Sequence, residues 1–172
     1  SGAPMAAGHE FVIADADVTL YAVWEELTAA VDPLLLIASD KDEGDNFGTA
    51  CAISGDYLII GSPNDDDGGS SSGSAYIFER SSGNDWEQKI KLSAETPEAY
   101  AYFGASVDID GNYAVVGSYS EGANGAAHVF LRSAEGVWSH QESLTASEGS
   151  SGDEFGKSVA ICGDYVIVGA HY

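Results

Sequence analysis

The stretch DEFGKSVAICGDYVIVGA, Asp153 to Ala170, decides the fold because the chain has already written it twice. DNFGTACAISGDYLIIGS runs from Asp45 to Ser62, and AYFGASVDIDGNYAVVGS from Ala101 to Ser118. Phe47-Gly48, Phe103-Gly104 and Phe155-Gly156 stand 56 and 52 residues apart. Seven residues beyond each Gly lies another, at Gly55, Gly111 and Gly163; six further on come Gly61, Gly117 and Gly169. Two copies continue into GSAYIFER (Gly73 to Arg80) and GAAHVFLR (Gly125 to Arg132), each with a tryptophan eight residues after its Phe, at Trp86 and Trp138. Leu92 and Leu144 stand eleven residues before the next Phe-Gly, and Leu36 holds that place before Phe47. Offsets this regular mark an internal repeat.

Each copy reads as four short strands. In the first, Ala105, Val107 and Ile109 alternate against Ser106 and Asp108, the period of a strand with two different faces. The second strand, YAVVGS or YVIVGA, is a continuous apolar run, as expected for burial on both faces. Between them Gly-Asp or Gly-Asn marks a tight turn. The third strand is aromatic and β-branched, and the fourth starts at the tryptophan. The connection between the second and third strands changes length, PNDDDGGSSSG in one copy and YSEGANG in the next, which predicts an exposed loop. A quartet with oily residues on both faces must stack against neighbours, and radial stacking of four-stranded sheets is the β-propeller. The fold class expected is all-β: a partial propeller with two full antiparallel blades and the first hairpin of a third, with cores at 47–94, 103–146 and 155–172. Glycines flanking the second strand are expected to allow close backbone approach.

Phe-Gly followed by SVAI, Gly-Asp-Tyr, VIVGA and an aromatic YIF strand resembles the FG-GAP repeat, the blade of integrin α-type propellers and of many bacterial surface proteins. The resemblance covers about residues 36–172. It implies an extracellular or cell-surface setting, further blades of the same chain, and a role in adhesion. The integrin version carries an aspartate-rich calcium loop between its first two strands. Here that connection is only SGDY, DGNY or CGDY, so the chain is closer to the short bacterial variant.

Residues 1–27 do not match the repeat. Phe11 to Ile13 and Val18 to Trp24 read as strands, and DVTLYAVW resembles the last strand of the Listeria–Bacteroides cell-surface repeat. Residues 28–35, with a helical turn or two ahead of Pro33, are the expected connector. The chain reads as a segment of a larger modular protein.

Composition narrows the function. Twenty-eight acidic against six basic residues give a formal charge of −22. Such a surface repels nucleic acid, whose binding requires Lys and Arg to neutralise phosphate. No stretch approaches the roughly 20 apolar residues of a membrane span, so no membrane insertion is expected. Cys51 takes the place of Val107 and Val159 and reads as a small core residue; Cys162 takes a turn position, so a disulfide between them is not the expected reading. The histidines (His9, His128, His140 and His171) are scattered, and His128 replaces Tyr76 of the other copy, a strand side chain rather than a base. No nucleophile elbow or zinc-protease pair occurs, so catalysis is not expected. The best ligand candidates are carboxylates: Asp40, Asp42 and Asp45 in DKDEGDN, Asp65 and Asp67 in NDDDGG. They could offer calcium several oxygens, although Pro63 and Gly44 interrupt the full loop pattern. Trp86 and Trp138 are expected to pack where an outer strand meets the neighbouring blade. The resulting expectation is a non-enzymatic scaffold that holds a protein or glycan ligand through Pro63 to Gly73 and Tyr119 to Gly125. The alternatives are an accessory module of an exported hydrolase, or a spacer.

Overall fold

A computed structural model describes residues 20–22, 34–81 and 85–171. Every regular element among them is a β-strand. β1 (Leu20–Ala22) pairs antiparallel with β2 (Leu34–Leu36). β3 (Cys51–Ser54), β4 (Tyr57–Ser62), β5 (Ser74–Arg80) and β6 (Trp86–Leu92) form the first full blade, a meander hydrogen-bonded in chain order. β7 (Ser106–Asp110), β8 (Tyr113–Ser118), β9 (Ala126–Arg132) and β10 (Trp138–Leu144) form the second. β11 (Ser158–Cys162) and β12 (Tyr165–Gly169) are the inner hairpin of the third. The all-β reading and the blade order stand as expected from the repeat.

The sequence dictates the hairpins locally. Ser54 pairs with Tyr57, Asp110 with Tyr113 and Cys162 with Tyr165, so only two residues turn the chain in each copy. The first of the two is Gly55, Gly111 or Gly163, with φ near +58° (Gly163 at +56°), the glycine-first geometry of a tight hairpin turn. Close approach belongs to the other glycine: a Cβ on Gly61 would overlap the Gly104 carbonyl oxygen, and one on Gly117 the Gly156 carbonyl oxygen. Gly55 and Gly111 have open space around them. Each Phe-Gly is tied down in the same way, Gly48, Gly104 and Gly156 donating to the carbonyls of Gly61, Gly117 and Gly169.

The blades stack face to face. Ile59, Ile77 and Leu92 of the first blade pack against Phe103, Val107, Ile109, Val116, Phe130 and Trp138 of the second. The next interface joins Val115 and Ala127 to Ile161, with Val159, Val166 and Val168 half-buried. On the other side of the first blade, Leu36 and Ala38 cover Phe47, Leu58, Ile60, Tyr76 and Phe78. Burial of this kind contributes roughly 1.5–3 kcal/mol per large side chain, which is why a single quartet does not stand alone.

Three expectations are corrected. Cys51 is exposed, because the face of β3 away from the second blade is uncovered among the described residues; its counterpart Val107 is buried only because the first blade lies against it. The second-strand run is buried in β4 and β8 but not in β12, whose Tyr165 and Ile167 are exposed, with no further sheet against them among the described residues. The loop from Pro63 to Gly73 is not wholly exposed: Pro63, Asp65, Ser72 and Gly73 are buried, while Asp66, Asp67, Gly68 and Ser70 reach solvent. The strand expected at Phe11 to Ile13 and the connector up to Pro33 lie outside the described residues. Of the strand expected at Val18 to Trp24, the described part is β1.

Candidate functional site

In a four-stranded meander the second-to-third loop and the linker to the next blade emerge at the same end. Here they are stitched together. Tyr100, Tyr102 and Phe103 donate backbone N–H groups to the carbonyls of Ser70, Ser71 and Ser72 at 2.7, 3.1 and 3.0 Å. Gly73 bridges Phe103 and Gly125 bridges Phe155 in parallel fashion. Asn46, Tyr102 and Glu154, each just before a repeat Phe, have φ of 56°, 56° and 50°. This left-handed corner turns each linker into its blade, and three dissimilar side chains gave no sign of it.

The first blade gathers its acids at this end around one amine. Lys91 Nζ lies 2.8 Å from Asp40, 2.7 Å from Asp65 and 2.6 Å from Asp67. One oxygen of each of these carboxylates falls within 4.8 Å of the others. Asp65 is the buried member. Burial acts to raise its pKa, but the Lys91 ammonium, the Tyr76 hydroxyl at 2.7 Å and the Asp67 N–H at 3.2 Å hold it below the usual carboxylate range. Burial acts to lower the pKa of Lys91, and its aspartates more than reverse that, holding it above the ordinary lysine value. Tyr76 is driven up, first by burial and then by the adjacent Asp65.

The second blade fills the same positions with other chemistry. The repeat offsets set Glu121 opposite Asp65, His128 opposite Tyr76 and Ser143 opposite Lys91. His128 meets Glu121 Oε2 through Nε2 at 2.7 Å and Ser143 Oγ through Nδ1 at 3.0 Å. An ionised carboxylate only accepts, so Nε2 carries a proton. Burial acts to raise the pKa of Glu121, and the bond from His128 brings it below the usual range. Ser143 also bonds His140 Nε2 at 3.1 Å, and the His140 ring packs on Phe130. This serine–histidine–glutamate chain occupies the place of Lys91, Tyr76 and Asp65, a repeated structural position with changed residues.

Of the carboxylates expected from sequence, Asp40, Asp65 and Asp67 are brought together, whereas Asp42 stays exposed at the linker surface. Asp45 is buried; desolvation raises its pKa, although it accepts the Asp42 N–H at 2.7 Å. An ion would have to compete with Lys91, which stands between the three clustered carboxylates. The integrin-type loop does not fit either, since two residues joining β3 to β4 cannot wrap a cation needing six to eight oxygens. Lys91 was missed in the sequence because no pattern of acids names its counter-ion. Trp138 packs edge-on against Tyr57 of the preceding blade at 6.2 Å. Trp86 is half-buried beside Phe78's cluster, with the Arg80 guanidinium 5.9 Å from its ring.

Comparison with protein families finds the FG-GAP repeat three times, over residues 35–78, 86–130 and 138–172. Each match opens at or near the outer strand of one blade and runs into the next, the same unit that the linker stitching defines. A comparison with curated proteins returned no significant match.

Proposed function

The chain belongs to the FG-GAP repeat family, and from that premise we propose that it is part of the propeller scaffold of an extracellular or cell-surface protein, without catalysis of its own, holding a protein or glycan ligand at its loop-and-linker end. Repeats of this family build β-propeller-like modules, often in surface proteins, and typically serve as non-enzymatic scaffolds. The observation that carries the reading is the character of that end. Its backbone is rigidly laced between blades, while Asp42, Glu43, Asp66, Glu95, Glu98 and Glu148 stand exposed on it. A frame laced by backbone hydrogen bonds limits the entropy lost on binding, and its exposed carboxylates attract partners with basic patches. No helix among the described residues is long and apolar enough to cross a membrane.

The test replaces Asp42 and Asp66 by Asn and Glu43 and Glu148 by Gln, residues that make no side-chain bond in the clusters above. Wild type and variant are passed over immobilised extracellular-matrix proteins and glycans at two ionic strengths. The expected result is retention of at least one basic protein or glycan complex, weakened about tenfold in the variant and less salt-dependent. Failure of every surface to retain the wild type at high micromolar concentration, or equal retention of both forms, overturns the assignment.

A further inference from the structure

The two full blades differ in where positive charge beside their buried acids comes from. The first neutralises Asp65 with an ammonium of its own, Lys91 at 2.7 Å. At the equivalent positions the second has Glu121 and the neutral Ser143. Among the described residues, the cationic partners of this second network are histidines alone: His128 Nε2 lies 2.7 Å from Glu121 and His140 Nδ1 3.5 Å from Glu95. A bulge brings the two rings together. β9 and β10 pair His140 with Phe130 and Glu142 with Val129, so Gln141 is an extra residue in the strand. Residues three apart on a regular strand point to opposite faces; the extra residue puts His140 and Ser143 on one face, that of His128. The first blade keeps the bulge, at Lys89, but has Tyr76 and Gln88 in place of the two histidines.

The rings meet at one atom. Ser143 Oγ lies 3.0 Å from His128 Nδ1 and 3.1 Å from His140 Nε2, while the far ring nitrogens face Glu121 and Glu95. Hydrogens do not suffice for this chain. Its four contacts need one hydrogen each, and two neutral imidazoles and a hydroxyl supply three between them. A cation between the near nitrogens removes the deficit: both rings then donate outward to the carboxylates and turn bare lone pairs inward. Metal-bound histidines are held in this way, the second ring nitrogen donating to a carboxylate. The spacing agrees. Imidazoles bound at about 2.1 Å to one tetrahedral ion have ring centroids about 5 Å apart, and those of His128 and His140 stand 5.6 Å apart. His128 is 2% and His140 15% exposed, so packing already holds both rings, whereas Ser143 opens to solvent and gives an ion its way in.

We propose that His128 Nδ1, His140 Nε2 and Ser143 Oγ form a site for a divalent transition-metal ion of the zinc type, with Glu121 and Glu95 orienting the two rings from behind. Imidazole nitrogen suits zinc, copper and nickel, and not calcium, which takes oxygens. Three protein ligands leave a fourth position for water or for a donor group of a bound partner. The charge of −22 draws divalent cations to the surface and raises their concentration at the opening. This site is separate from the cluster of Asp40, Asp65 and Asp67, which Lys91 already neutralises.

The test titrates zinc, and cobalt as its coloured substitute, into the chelator-stripped full chain in about 0.15 M salt, with millimolar calcium present to occupy surface carboxylates. The expected result is one zinc ion bound per chain, a Tm that rises with zinc concentration, and the visible absorption of four-coordinate cobalt with nitrogen ligands. His140→Gln installs the residue that the first blade carries at that position, Gln88, so the sheet keeps its fold while binding falls below detection at high micromolar zinc. Glu121→Gln keeps both ligand rings and weakens binding about tenfold or more. His171→Gln, outside the site, leaves binding unchanged. Far-UV dichroism and metal-free unfolding confirm that each variant is folded. No ion bound at high micromolar zinc, an octahedral cobalt spectrum, or unchanged affinity in His140→Gln or Glu121→Gln overturns the proposal. So does a stability that follows pH but not zinc, which would show that a proton fills the deficit instead.

Discussion

Replacing Lys91 by Met keeps the aliphatic stem and removes the charge that three aspartates share. The consequence is set mainly by the least exposed partner. Asp67, with 72% of its side chain exposed, and Asp40, with 36%, lose surface ion pairs, each contributing about 0–1 kcal/mol. Asp65 is 4% exposed, and removing one partner of a buried pair costs about 3–5 kcal/mol. Tyr76 and the Asp67 N–H still donate to it, so the net loss is about 2–3 kcal/mol, or roughly 5–10 °C in Tm for a chain of this size. The assay is urea unfolding of wild type, Lys91→Met, Asp65→Asn and the double variant, where the cycle isolates the coupling. The double variant recovers most of the loss, with a coupling near 2 kcal/mol. Linkage adds a pH signature. Asp65 has a lowered folded pKa, so its contribution is present above the unfolded value of about 3.9 and is lost as pH falls through the folded one. Lys91 has a raised folded pKa, so its contribution is complete below about 10.4 and is lost only as pH rises through the folded value. The gap between wild type and Lys91→Met is therefore widest from about pH 5 to 9 and closes below pH 4. A loss under about 0.5 kcal/mol, or a large loss with no coupling to Asp65, would refute the account of the cluster.

Two further substitutions test the repeat. Trp138→Ala empties a buried site between blades and costs about 3–5 kcal/mol, whereas the half-buried Trp86→Ala costs about half of that; equal losses in chemical unfolding would contradict the difference in packing. Glu154→Asn places at the left-handed corner the residue that Asn46 already supplies; relief of backbone crowding raises stability by roughly 0.5–1 kcal/mol, and a lower Tm would count against strain at that corner.

Much of the architecture follows from the chain alone, because backbone chemistry is local. Gly55, Gly111 and Gly163 demand tight turns, the alternation around Val107 demands a two-faced strand, and three copies at nearly constant spacing demand that the same unit recur. The cluster at Lys91 was only half legible: its aspartates stand out as runs of acids, but the amine that neutralises them comes from a strand 24 residues beyond Asp67. Exposure was least legible of all. Cys51, Val107 and Val159 are equivalent letters in the repeat, yet one is bare, one buried and one half-covered, since burial belongs to whatever sheet lies opposite. The pairing of Leu20 with Leu36 likewise emerges only in three dimensions. Local sequence determined turns, strands and their period; the tertiary structure alone decided which faces meet, because a side chain's solvent is chosen by residues remote along the chain.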